Sequence, residues 1–152
     1  MSILAIDPGP IKSAYVVLND DLSLKKFGME ENDLVLAIID TACFEHFEHV
    51  VIEMIASYGM AVGKDVFNTC VWIGRFTQEA SRFVEPKYIY RKEEKMNLCH
   101  SMKAKDGNIR QALIDRFGPV GKKKTPGWFY GVSKDVWAAV AVGVTYHDLY
   151  MK

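Results

Sequence analysis

The hydrophobic pattern divides the chain into short strands first and longer helices later. Residues 2–7 form an apolar run that stops at Pro8-Gly9-Pro10, which reads as a buried strand and a hard turn. Residues 13–18 predict a second strand. After the turn cluster Asn19-Asp20-Asp21, the weak alternation over 23–29 completes a three-stranded meander. Over 30–44, Leu34, Val35, Ile38, Ile39 and Ala42 recur at three and four spacing with acids in the first turn, which predicts a helix. Residues 49–55, dominated by β-branched side chains, predict a fourth strand. A Gly-rich loop over 56–63, a long helix over 64–83 and a short fifth strand over 87–90 follow. The basic stretch 91–105 is ambiguous, 107–117 reads as a helix, 118–127 as a Pro, Gly and Lys-rich loop, and 131–150 as a closing helix.

Three meandering strands followed by βα units imply an α/β fold with a mixed five-stranded sheet and helices on both faces. The order βββαβαβα matches the ribonuclease H-like fold, as one domain over residues 1–152. At 152 residues the chain can bury roughly 70% of its unfolded surface, so it needs neither disulfides nor a metal to fold. No run approaches the roughly 20 apolar residues of a membrane span, and Met1 leads into the first strand without a basic n-region. The expectation is a cytoplasmic protein with no membrane partner. Cys43, Cys70 and Cys99 are odd in number and form no Cys-x-x-Cys pair, so they read as reduced core thiols.

Three acids stand in apolar surroundings. Asp7 ends the first strand, Glu53 lies between Val50-Val51-Ile52 and Met54-Ile55, and Asp135 opens Val136-Trp137-Ala138-Ala139-Val140. Stripping water from a charge costs several kcal/mol, so something positive must compensate them. In a mixed sheet the first and fourth strands can be neighbours, and their acids then converge on one rim. Oxygen-only ligands suit Mg²⁺ or Mn²⁺ better than zinc. Two of the acids also have a plainer use, Asp7 as a turn former before Pro-Gly and Asp135 as a helix-start carboxylate, whereas Glu53 in so apolar a strand is hard to explain in that way.

Ile3-Leu4-Ala5-Ile6-Asp7-Pro8-Gly9, then Val50-Val51-Ile52-Glu53, then the Gly-rich loop and helix, and finally Lys134-Asp135-Val136-Trp137-Ala138-Ala139 resemble the RuvC-type Holliday junction resolvases, particularly those of bacteriophages and prophages. The resemblance covers nearly the whole chain. It implies a metal-dependent endonuclease that resolves branched DNA by paired phosphodiester hydrolysis from a homodimer, in a bacterial host cytoplasm if phage encoded. It implies Asp7, Glu53 and Asp135 as metal-binding acids, with Lys95 and Lys105 nearest the family's catalytic lysines and Lys103 competing for the second place. The family's fourth acid or histidine falls at Val132, where this chain departs from the pattern. Asp106 or Asp65 is the substitute within reach, or a water fills the gap. Two cations clamped by carboxylates supply a nucleophilic water and a stabilised leaving oxygen in such hydrolysis, and a lysine adds charge stabilisation.

Overall charge is balanced, 19 basic against 19 acidic residues, but residues 87–124 hold eleven basic and four acidic side chains, a local excess of seven. That asymmetry points to a polyanionic partner, with Lys64, Lys92, Lys103, Lys122, Lys123 and Lys124 as candidate phosphate contacts. Tyr58 and Met60, in the loop after Glu53, are placed to stack on or wedge between bases. Gly59 to Asp65 superficially resembles a phosphate loop but is one residue short and ends in Asp, so no nucleotide cofactor is expected. On the long helix Val66, Cys70, Ile73 and Ala80 are expected to face the sheet, leaving Trp72, Phe76 and Phe83 as a second stripe for a dimer interface. Trp128-Phe129-Tyr130 reads as a packing plug, and the four histidines carry no ligand role. Rival readings are a non-catalytic nucleic-acid-binding module on this fold and a structure-specific nuclease acting on forks, flaps or RNA.

Overall fold

The computed structural model describes residues 2–41 and 46–151. Cys43 and the end of the predicted first helix lie outside them. Five strands, β1 (Ile3–Asp7), β2 (Lys12–Leu18), β3 (Leu24–Glu31), β4 (His49–Met54) and β5 (Lys87–Tyr90), form one mixed sheet in the order β3-β2-β1-β4-β5. The helices among the described residues are α1 (Asn32–Asp40), α2 (Lys64–Ala80), α3 (Arg91–Cys99), α4 (Asp106–Phe117) and α5 (Val136–Tyr150). None of them is long and apolar enough to cross a membrane.

β2 pairs antiparallel with β1 and β3, whereas β1, β4 and β5 run parallel, with Ile6 opposite Ile52 and Met54 opposite Tyr90. Parallel strands end on the same edge. The carboxyl ends of β1, β4 and β5 therefore bring Asp7, Glu53 and Arg91, the first residue beyond β5, to one rim.

Each sheet face carries its own core. α5 lies across β1 and β2 and is buried along most of its length, together with α4 and Phe129. Close approach is possible because Gly143 faces the sheet: a Cβ there would sit 2.6 Å from Leu18 Cδ1 and 3.2 Å from Ala5 Cβ. On the opposite face α1 and α2 cover Leu4, Ile6, Tyr15, Val17, Val50 and Ile52.

The turn after Asp7 is locked by buried polar contacts. Ser13 Oγ donates to Asn32 Oδ1 (2.6 Å), Asn32 Nδ2 donates to the Gly9 carbonyl (2.9 Å), and Gly9 N–H donates to Ser13 Oγ (3.1 Å). Gly9 is required there, since a Cβ would lie 2.3 Å from the Lys12 carbonyl oxygen. Asn32 is the first residue of α1 because β3 continues to Glu31, which moves that helix start two residues later than the periodicity predicts.

Several sequence expectations are corrected. α2 turns Thr69, Ile73, Phe76 and Ala80 inward, not Val66 and Cys70. Thr69 tolerates this position because its hydroxyl donates to the Asp65 carbonyl at 2.7 Å, leaving its methyl to pack. Phe76 is accordingly fully buried in the sheet-facing core and belongs to no outer stripe. Trp72 is half-buried under the Arg75 guanidinium, 4.1 Å from its ring, and Phe83 lies beyond the helix end. Cys70 is exposed and is no core thiol, whereas Cys99 is partly buried against the α5-side core. The closing helix starts at Val136, five residues later than predicted, because Gly131 and Lys134 adopt left-handed φ values of 86° and 50°. The ambiguous stretch opens as α3, which ends at the left-handed His100.

Candidate active site

An open cleft of about 360 Å³ at the carboxyl rim is lined by Asp7, Glu53, Asp106, Asp135, Arg91 and Tyr58, among others. Each reaches it from a different element. Asp7 ends the central strand and Glu53 lies one residue from the end of β4. Arg91 opens α3, Asp106 opens α4, and Asp135 immediately precedes α5. Asp7 and Glu53 are half-buried, while Asp135 is exposed on the cleft wall.

Glu94 lies behind this lining, one turn along α3 from Arg91. It is 0% exposed. Glu53 lies within side-chain hydrogen-bonding reach of both Asp7 and Glu94, so three carboxyl groups run in a row from β1 to α3. Arg91 answers them: Nη1 donates to Glu94 Oε1 at 3.1 Å, and Nη2 pairs with Asp106. Arg91 is the one basic side chain lining the cleft among the described residues.

One guanidinium does not neutralise this cluster. Burial, reinforced by contact with Glu53 and by the charges of Glu53 and Asp135, pushes Asp7 up to about 9. Burial and the neighbouring Glu94 push Glu53 up to about 8. Burial raises Glu94 to about 7, against the opposing pull of Arg91. Two carboxylate oxygens, Glu53 Oε1 and Glu94 Oε2, are sealed from solvent with no hydrogen-bond partner. Such groups need shared protons or a cation.

The donor set suits a hard divalent cation, being all oxygen and partly desolvated. Among the described residues no three Asp, Glu, His or Cys side chains stand as a ready-made ligand group. Of the substitutes for the acid absent at Val132, Asp106 lines the cleft and is engaged by Arg91, while Asp65 is exposed and outside the cleft lining. Val132 itself is buried in the α5-side core.

The predicted lysines lie elsewhere. Lys95 is partly buried on α3, Lys105 is exposed, and neither lines the cleft; Lys103 borders a separate cavity with Cys99 and Asp115. The site's cation is Arg91, and Glu94 is its unforeseen acid. Their signal was the adjacency of Arg91 to a strand parallel to β4, with Glu94 one helical turn on. Tyr58 is 68% exposed at the mouth of the cleft, and Met60 projects from the same loop. Lys64, Lys92, Lys122, Lys123 and Lys124 are exposed outside the cleft lining. Phe129 is buried and Trp128 stacks on Phe117 with centroids 5.3 Å apart, as a packing plug should, whereas Tyr130 stays exposed.

No protein-family model and no curated protein matches the sequence. Solved structures do. Thermus thermophilus RuvC in complex with a Holliday junction substrate is 14% identical and superposes with a TM-score of 0.73, over 99% of this chain and 96% of that one. A further Thermus thermophilus RuvC structure is 17% identical, with a TM-score of 0.64 over 99% of this chain and 95% of that one. The chain has the RuvC fold. The expected mixed five-stranded α/β architecture and the resemblance read from the motifs hold at that level.

The raised carboxyl values fix the sign of a pH effect. In the unfolded chain these acids ionise near pH 4. From there up to about pH 9 the folded, cation-free protein holds more protons than the unfolded chain, so its stability falls as pH rises through this window. Asp7→Asn should remove part of that loss. In urea unfolding with chelator present, the variant should exceed the parent by at least about 1 kcal/mol near pH 8.5 and match it near pH 4. Equal stabilities at both values would show that Asp7 is not desolvated.

Proposed function

We propose that this protein is a metal-dependent endonuclease acting on branched DNA, with four-way junctions as the preferred substrate. The observation that carries this reading is the row Asp7, Glu53 and Glu94 at the carboxyl rim of a RuvC-fold sheet, faced by Asp135 across an open cleft. A neighbour with this fold holds a Holliday junction substrate.

Asp7, Glu53 and Asp135 would hold Mg²⁺ or Mn²⁺. Such a cation, when bound, supplies charge neutralisation at the scissile phosphate and acidifies the attacking water. The Gly9, Ser13 and Asn32 lock fixes the backbone turn that immediately follows Asp7. Arg91, engaged by Glu94 and Asp106, is the basic side chain lining the cleft among the described residues, where the resemblance implies a lysine such as Lys95 or Lys105. Tyr58 presents a free ring at the mouth for an unstacked base, a contact worth about 1 to 3 kcal/mol.

Residues 121–126 form a small lysine-tipped hairpin. Gly121 bridges Pro126, Lys122 N–H donates to the Thr125 carbonyl (3.1 Å) and Thr125 N–H returns to Lys122 (3.0 Å). Gly127 at its base admits no Cβ, which would lie 2.0 Å from the Pro119 carbonyl oxygen. A rigid loop presenting Lys122, Lys123 and Lys124 suits phosphate contact at low ordering cost. On the outer side of α2, Phe67 and Val71, each 61% exposed and one turn apart, replace the predicted stripe as the homodimer face.

A non-catalytic junction-binding module is the second reading, favoured by Val132 and by the absence of a ready-made ligand group among the described residues. Nicking of a synthetic junction separates the two. Asp7→Asn, Glu53→Gln and Asp135→Asn should each lower cleavage on the order of 100-fold or more while preserving junction binding. A wild-type protein that binds junctions and never cuts them in Mg²⁺ or Mn²⁺ would leave the second reading standing.

Replacing Lys122, Lys123 and Lys124 by Ala should flatten the slope of log affinity against log salt by up to roughly one unit for each phosphate that is no longer neutralised. An unchanged slope would make the hairpin a bystander. Sedimentation should give about twice the 17.2 kDa chain mass. Phe67→Glu combined with Val71→Glu should yield monomers, and a wild-type monomer at high concentration would refute the dimer.

A further inference from the structure

We infer that Glu94 is itself a ligand of the cation held by Asp7 and Glu53, with Arg91 as the positioning residue that fixes its carboxylate. The inference rests on the metal-dependent reading above, which counts Glu94 in the acid row but assigns the cation only to Asp7, Glu53 and Asp135.

Glu94 is fully buried, and its two oxygens are treated differently. Oε1 accepts a hydrogen bond from Arg91, three residues earlier on the same helix. Oε2 is sealed from solvent and receives no hydrogen bond from a protein donor. A carboxylate serving only to anchor α3 through Arg91 would turn both oxygens toward donors or toward water, because an unsatisfied buried acceptor is costly. Here the free oxygen belongs to a side chain in contact with Glu53, whose Oε1 is likewise sealed and unpartnered. Two sealed oxygens on touching acids, neither reached by a protein donor, need a shared proton or a cation, and Arg91 reaches neither of them.

Arg91 is already divided. Its Nη1 serves Glu94 and its Nη2 serves Asp106, whose side chain is 92% exposed. The guanidinium therefore spans from the buried wall to the cleft surface, with its charge shared between two carboxylates. That geometry makes it an orienting clamp: it holds one oxygen of Glu94 and leaves the other for a ligand. The ligand chemistry follows from the donors, three carboxyl groups with no nitrogen or sulfur, which select a hard divalent cation.

The test uses the full chain without DNA. Calorimetric titration of the chelator-treated protein with Mn²⁺ should show roughly 10- to 100-fold weaker binding for Glu94→Gln than for wild type, with far-UV circular dichroism unchanged. In wild-type protein labelled with ¹³C-glutamate and ¹³C-aspartate, the carboxyl carbons of Glu94, Glu53 and Asp7 should all shift on titration with Mg²⁺. That second measurement needs no variant and stands if Glu94→Gln fails to fold. Shifts at Asp7 and Glu53 with Glu94 unmoved, or a folded Glu94→Gln that binds Mn²⁺ like wild type, would overturn this inference alone. A wild type that binds neither ion would overturn the metal-dependent reading and this inference together.

Discussion

The desolvation of like-charged acids at the ends of parallel strands is the constraint around which the rest of the molecule is arranged. Asp7 and Glu53 come together because β1 and β4 are adjacent and parallel, and Glu94 joins them because β5 continues that order and turns directly into α3. A single guanidinium shared with Asp106 leaves this row short of positive charge. The protein holds the arrangement at some loss of its own stability near neutral pH, since burial holds the inner acids well above their ordinary values. Unfavourable burial of this kind is typical of sites built to receive a charged ligand.

The surrounding structure is rigid where the cluster needs it. Gly9, Ser13 and Asn32 tie the turn after Asp7 to the start of α1, which fixes the backbone next to the central carboxyl group. Gly143 permits the close seating of α5, which Asp135 immediately precedes, on Leu18 and Ala5. The loop bearing Tyr58 and Met60 and the hairpin bearing Lys122, Lys123 and Lys124 project outward instead. Binding elements are thus carried at the periphery while the chemistry sits on strand ends and helix starts.

Much of this was legible from the chain alone because strand periodicity is strong here. The three acids stood out as charges in apolar runs, and the cleft does gather Asp7, Glu53 and Asp135. Glu94 did not stand out, since it sits in the polar segment Arg91-Lys92-Glu93-Glu94-Lys95, where nothing in hydropathy marks one acid as buried. Only the parallel placement of β5 beside β4 turns that segment inward. The outer face of α2 was misread for a related reason. A threonine whose hydroxyl is satisfied by the preceding turn packs like a small apolar residue, so the buried face keeps Ile73 and Ala80 but takes in Thr69 and Phe76 in place of Val66 and Cys70. The helix start at Val136 depended on left-handed residues, Lys134 among them, that composition does not announce.

If the carboxyl cluster at this rim exists to receive a divalent cation, crystals soaked in Mn²⁺ and measured at its absorption edge will show it directly. The expected result is an anomalous peak among Asp7, Glu53 and Asp135, with the contacts between the inner carboxyl groups opened around it. Well-ordered crystals showing no peak at this rim, or showing one only at surface acids, would contradict that role.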